Sequence, residues 1–247
     1  MAKPGVTAYL KDFYNVMIIS QIIIAAYAVY KIGLSYVLSA VVAILVAVAV
    51  DLVMKYYKQE LTFPRSAIIT GFIIANVLAA NQLWVVAAFA FVAILLKHVI
   101  RLNKKHIFNP ANLALASLVF ILPASHGWSG GLLIPLVIVL GLWTIFTLKR
   151  LHLPAVFFGT TLVLLLAFNG VAGLSKFIVD GAMWFFGFFM LTEPITSPVS
   201  RNGQITFGVL AAVFAFAISA GLPQFAFPLA LVAADVLVPV INRYLKL

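Results

Sequence analysis

The chain has 247 residues, 65% of them hydrophobic and 9% charged, with a mean hydropathy of +1.17. A soluble domain of this size does not tolerate that balance, so the composition excludes a water-soluble enzyme and leaves almost no room for a separate soluble domain. The formal charge is +10 and cysteine is absent, which removes disulfides, thiol catalysis and protein-ligated iron–sulfur clusters.

A bilayer-spanning helix needs about 20 largely apolar residues. Candidate segments run over 14–33, 35–55, 66–81, 82–101, 110–124, 129–148, 153–168, 176–191, 204–221 and 224–243, which predicts ten spans. Segments of this length favour helices over barrel strands, which alternate and are about half as long. The expected fold is an all-α polytopic membrane protein, a single integral membrane domain over 1–247. The polar stretch Met1 to Phe13 has no cleavable signal pattern, so the first span is expected to act as its own targeting signal.

Lys and Arg in short loops set orientation. Ten spans place Lys3, Lys11, Lys55, Lys58, Arg65, Lys97, Arg101, Lys104, Lys105, Lys149, Arg150, Arg201, Arg243 and Lys246 on one side, and only Lys31 and Lys176 on the other. Both termini are therefore expected on the cytoplasmic side of the cell (inner) membrane. On loops flanking apolar spans this basicity reads as topology and contact with anionic lipid, not as nucleic-acid binding.

Two places break the apolar pattern. The fifth segment opens at Phe108-Asn109-Pro110-Ala111-Asn112 and reaches Pro123 after about 14 residues, near 20 Å, too short to cross a ~30 Å core without distortion. An Asn able to cap, followed by Pro in the first turn, is a helix-start signature. Short helices with polar N-termini facing the interior are one way membrane proteins build binding sites; a short peripheral span is the plainer alternative. The second break is Leu191-Thr192-Glu193-Pro194-Ile195-Thr196-Ser197-Pro198, where two prolines predict an ordered, non-helical bend. The apolar run Phe185 to Met190 before it predicts that the bend dips toward the core. A weaker echo relates Leu61-Thr62-Phe63-Pro64 and Thr70-Gly71 to Leu151-His152-Leu153-Pro154 and Thr160-Thr161 at an offset of 90; it pairs segments three and seven and reads as local similarity.

Among the six acids, Asp235 stands near the middle of segment ten, between Ala234 and Val236. An ionisable group there is costly unless paired or facing a wet cavity, so an ion or proton relay is the functional expectation. A packing carboxyl bonded to a neighbouring polar group is the alternative. Asp51 lies one turn before Lys55 and predicts an i,i+4 pair. The four histidines show no ligand spacing and no Cys is available, so no metal site is expected; Gly127, Gly130 and Gly131 lack the Lys-Ser/Thr that ends a glycine-rich phosphate loop. No nucleophile–base set is evident.

With these motifs in hand, the chain resembles a family of membrane subunits, the D-type subunit of Rnf electron-transport complexes and the B-type subunit of the sodium-translocating NADH:quinone reductase (Nqr). The resemblance covers roughly 60–245 and rests on the Asn109-Pro110-Ala111 helix entry, the Thr192-to-Pro198 turn, in which Glu193 stands where the family has Asp, and the basic Lys149-to-Pro154 stretch. It implies a urea-transporter-like core of two five-helix halves, here about 14–124 and 129–243. It also implies flavin-based electron transfer within a multi-subunit membrane complex, with other redox subunits and quinone as partners. The family attaches FMN to a threonine between the fifth and sixth spans; here that connection, Pro123-Ala124-Ser125-His126-Gly127-Trp128-Ser129-Gly130, has no threonine, so no covalent FMN is expected.

The resemblance still implies a non-covalent flavin, riboflavin or FMN, toward the cytoplasmic side. The residues expected around it are Asn109, Asn112, Thr192, Glu193, Thr196 and Ser197, with Thr70 and Thr160 lining the same cavity. Two other readings fit the same motifs: a channel or carrier for a small solute on a related fold, and a cofactor-free scaffold subunit.

Overall fold

The structure, a computed structural model, describes residues 10–60, 62–102 and 105–245. Lys3, Leu61, Lys104 and Lys246, and the first nine residues as a whole, lie outside the described residues. Within the described residues, eleven α-helices account for the apolar segments. They are α1 (Phe13–Ile32), α2 (Leu34–Tyr57), α3 (Arg65–Val77), α4 (Leu83–Val99), α5 (Pro110–Leu118), α6 (Ile134–Leu148), α7 (His152–Asn169), α8 (Val171–Val179), α9 (Gly181–Phe185), α10 (Arg201–Ser219) and α11 (Ala226–Tyr244).

Five helices, α1, α2, α7, α10 and α11 with its preceding turn, are long and apolar enough to cross a membrane. A sixth candidate span is the broken pair α8 plus Gly181–Met190, bent by 60°. The protein is thus an all-α, multi-pass membrane protein, while α3, α4 and α6 are shorter apolar helices and α5 has only nine residues. At 1.5 Å per residue α5 is about 14 Å long, half a bilayer core. The sequence marked one segment at 176–191; the chain instead makes two helices that meet at Asp180, whose carboxylate accepts the Met183 amide at 2.9 Å and caps the second.

Glycine and small residues set the close approaches. Gly33 (φ +88°) and Gly170 (φ +56°) turn the chain between α1 and α2 and between α7 and α8 with backbone angles that side chains resist. In α3, a Cβ on Gly71 would stand 2.6 Å from the Ile44 backbone, so the glycine lets α3 lie against α2. The helices pack as neighbours α2–α3, α2–α4, α1–α3, α1–α6, α4–α5, α5–α11, α7–α10 and α10–α11. α5 therefore sits between the N-terminal helices and the last one.

The core is built of alanines and phenylalanines, with Phe89, Phe157, Phe185, Phe186, Phe189 and Phe207 fully buried. Exposed Ile22, Leu45, Val139, Val163 and Val213 point outward, which suits a lipid-facing surface. Two tiny antiparallel pairs tie loops at opposite ends: β1 (Leu78–Ala79) with β4 (Ser125–His126), and β2 (Arg101–Leu102) with β3 (Lys105–His106). Lys55, Arg65, Lys97, Arg101 and Lys105 converge on one cavity at the β2–β3 end. Tyr14, at the start of α1, lines that cavity too, whereas Lys31 closes α1 about 26 Å of helix away.

Candidate functional site

The fifth helix begins as its sequence requires. Asn109 is the N-cap and its side-chain oxygen accepts the Asn112 amide at 3.0 Å, with Pro110 in the first turn. Two further bonds fix the same residue from distant elements. The Asn109 backbone N–H donates to Asp235 Oδ2 at 3.1 Å, and its side-chain Nδ2 donates to the Met190 carbonyl at 3.2 Å. Asn112 donates from Nδ2 to the Pro228 carbonyl at 2.9 Å, holding α5 to the start of α11. Asp235 is fully buried; one of its oxygens serves the α5 amide and Oδ1 has no protein partner. It thus occupies the site of an acceptor for a helix N-terminus, where a negative or polar oxygen is stabilised.

The bend is non-helical and its first and last parts are buried, with Thr192, Thr196 and Ser197 each 2% exposed. Entering it, Phe186–Met190 forms one π-helical turn, all five residues buried. A π-turn inserts one residue into the helical repeat and frees backbone groups. The Asn109 amide bound to Met190 O and the Thr192 hydroxyl donating to Phe188 O at 2.6 Å satisfy two of them. Ser197 Oγ donates to Glu193 O at 2.7 Å and accepts from the Arg150 guanidinium at 2.5 Å. Glu193 turns the other way: its Oε1 meets His106 Nε2 at 3.1 Å, and its Oε2 has no partner.

A slot separates α1 from α3, the start of α5 and the bend. Its walls are Phe13, Tyr14, Met17, Ile69, Ile73 and Phe189, with Thr70, Asn109 and Glu193 as polar edges. These three sequence-selected residues are therefore brought together. Asn112 faces Pro228, Thr192 and Ser197 bond within the bend, and Thr196 faces a separate cavity with His106 and Val238. Thr160 is half-buried on α7 and does not line the slot.

The free volume of the slot is about 30 Å³, room for a water or two. A site for a molecule of flavin size takes roughly 300 Å³ or more. The polar inventory also fails to match. An isoalloxazine edge needs donors for its carbonyl oxygens and N5, but Asn109 and Asn112 each spend one of their two side-chain N–H donors, and Thr192 its hydroxyl, on backbone carbonyls of this chain. Around the start of α5 and the bend, the buried atoms left without partners include Glu193 Oε2, Asn112 Oδ1 and Asp235 Oδ1, which are carbonyl or carboxyl oxygens and not N–H donors. The residues present do not fit a flavin in the slot as built.

Sequence reasoning found the Asp51–Lys55 pair, at 2.7 Å, but missed what gathers around it. Asp51 is fully buried, and its Oδ1 also receives Lys97 Nζ and His98 Nε2, both at 2.9 Å. Lys97, 7% exposed, donates to Ser66 Oγ at 2.7 Å as well. On the far edge of the His98 ring, Nδ1 lies 3.4 Å from both Lys58 Nζ and Arg101 NH2. Those partners only donate, so Nδ1 accepts and Nε2 carries the hydrogen given to Asp51. Lys97 and His98 lie 46 and 47 residues beyond Asp51, and no local periodicity signals their meeting. Among the described residues, no group of three His or acidic side chains is placed to hold a metal ion.

Fold and site together define a multi-pass membrane protein whose broken central helices are locked by buried polar bonds at a basic end. The sequence profile of the NQR2, RnfD, RnfE family matches residues 7–132 and 126–247, and the chain belongs to that family. The D-type subunit of the ion-translocating oxidoreductase complex from Haemophilus influenzae strains PittEE, PittGG and 86-028NP is 33% identical over 84 residues, which is 32% of this chain. That alignment spans 23% of the length of those relatives.

Proposed function

We propose that this chain is a membrane subunit of an Rnf/Nqr-like electron-transport complex that passes electrons between redox partners, with its basic face in the cytoplasm. Membership of the family, whose similar proteins are named as subunits of an ion-translocating oxidoreductase complex, is the observation that carries the reading. The two halves are 14–124 and 129–243; the two profile matches meet near the same boundary. Other membrane subunits, and quinone as an electron acceptor, are the partners this reading entails. The excess of Lys and Arg at the β2–β3 end supports the orientation.

For this chain's own cofactor two forms of the proposal compete. In the first, a non-covalent flavin occupies the basic side, with the slot opening to admit it. In the second, the chain is a cofactor-free subunit whose Asn109 and Thr192 motifs brace the broken helices. The 30 Å³ slot, and the bonds that already tie Asn109, Asn112 and Thr192 to backbone carbonyls, favour the second. An absorbance spectrum of the purified chain, before and after acid precipitation, separates them. Yellow colour near 450 nm, the usual flavin band, released into the supernatant establishes the first. A colourless protein that also fails to take up added flavin establishes the second.

A further inference from the structure

At the basic end, next to the slot and sharing Tyr14, Ser66 and Ile195 with it, lies a second cavity of about 360 Å³ that opens to the outside. We propose that this cavity is a binding site for a phosphate group, borne either by an acidic phospholipid headgroup or by a soluble phosphate compound.

Five cations line it: Lys55, Arg65, Lys97, Arg101 and Lys105. Among the described residues Glu60 is the one carboxylate in the lining. Behind the wall, Asp51 bonds Lys55 and Lys97, and Asp12 bonds Arg65 at 3.1 Å. Glu193 adds a fourth acid by meeting His106 of the lining at 3.1 Å, and the five cations still outnumber these four, before Lys58 is added. Among the described residues neither Arg101 nor Lys105 has a carboxylate within ion-pair distance, nor has Lys58. Lys58 and Arg101 converge on a single acceptor, His98 Nδ1, an arrangement in which two positive charges face each other with no anion between them. Burial, followed by the Arg101 charge, pushes the Lys58 ammonium below its ordinary value against the opposing pull of Glu60.

The rear of the cavity is fixed. Lys97 and His98 are 7% and 6% exposed, and Asp51 holds both in place. The front is open, with Phe63 at 73% exposure beside it. Phosphate suits this geometry better than a carboxylate does. It offers several oxygens in a tetrahedron to cations that approach from different helices, and it pairs with a guanidinium in bidentate fashion. Basic pockets between helices at a membrane surface bind lipid head groups by the same chemistry. The site is independent of the electron-transfer reading, because it rests on charge and placement alone.

The test uses the full chain, a pocket variant, Arg101→Gln/Lys105→Gln, and a control of equal charge loss outside the pocket, Lys149→Asn/Arg243→Gln. Inorganic pyrophosphate is titrated at constant ionic strength into protein held in nanodiscs of neutral phosphatidylcholine, and the melting temperature is read. In parallel, protein extracted from membranes containing phosphatidylglycerol is weighed by native mass spectrometry for retained lipid. A pyrophosphate response that the pocket variant needs about thirtyfold more ligand to reach, with the control unchanged, assigns the soluble source. Retained acidic lipid that disappears in the pocket variant alone assigns the headgroup. Equal behaviour of wild type and pocket variant in both arms, or an equal loss in the control, overturns the proposal. Lys105→Gln alone, at an exposed position, carries the test for a double variant that does not fold.

Discussion

Asp51 gives the sharpest test of how the basic end is held. In Asp51→Asn the carboxylate charge disappears while Lys97 stays buried beside Lys55. Each of the two lysine contacts, at 2.7 and 2.9 Å, is worth about 6 kcal/mol in Coulomb terms at an effective dielectric constant near 20, before desolvation is subtracted. Desolvation offsets most of this, and breaking a buried pair from one side leaves a net loss of about 3–5 kcal/mol. Lys55, with a 12% exposed side chain, can turn to water; Lys97 cannot, so most of the loss belongs to Lys97. Asp51→Leu/Lys97→Met removes both charges and should be more stable than Asp51→Asn by about 2 kcal/mol or more, because no buried charge is left unpaired. Reversible unfolding in mixed micelles, followed by tryptophan fluorescence, measures both numbers. A loss below about 1 kcal/mol for Asp51→Asn, or a double variant no better than the single one, would refute the assignment of Asp51 as the anchor of Lys97.

Other expectations can be checked on the same assay. Gly71→Ala should destabilise by about 1–3 kcal/mol because its Cβ meets the Ile44 backbone, whereas Gly159→Ala, with open space around it on α7, should be neutral or stabilising by up to about 1 kcal/mol. Asp235→Asn keeps an acceptor for the Asn109 amide and should change stability little. Asp235→Leu orphans that amide and should lose about 1–3 kcal/mol. A large fall in electron-transfer or ion-transport activity in Asp235→Asn at preserved stability would establish a relay in place of a helix anchor. Asn109→Leu removes the cap and the bond to Met190 O together and should lose about 2–4 kcal/mol; a variant of undiminished stability would show that the entry motif has no bracing role.

Local chemistry was readable from the sequence wherever the partners were close along the chain. The Asn109 cap, Pro110 in the first turn, the non-helical bend from Thr192 and the Asp51–Lys55 turn all form within four residues. The buried entry to the bend was also readable, because Phe185 to Met190 has no polar residue to keep it at the surface. Hydropathy did not give helix lengths. Apolar stretches continue through β1 and the β4 approach, where the backbone stops being helical while side chains remain apolar, and at the α8–α9 break a single acid, Asp180, interrupts an otherwise apolar run. The π-turn is similarly silent, since one inserted residue changes which carbonyls are free without altering composition. The convergence of Lys97 and His98 on Asp51, and of Asp235 on Asn109, depends on helix packing that no local window contains. For that reason the bonds that Asn109 and Asn112 make to the Met190 and Pro228 carbonyls could not be read from the sequence.

The bonds at Asn109 and Asn112 also bear on how the chain is made. α5 leaves the ribosome well before its partners: the Asn112 side chain waits 116 residues for the Pro228 carbonyl, and the Asn109 amide waits 126 for Asp235. Until then, a nine-residue helix placed at membrane depth would start with donors that hydrocarbon cannot satisfy. The nascent N-terminal half should therefore hold α5 near the interface, or against the insertion machinery, and draw it inward only when α11 arrives. Insertion of this helix becomes a late event in biogenesis, governed by a segment synthesised long after it.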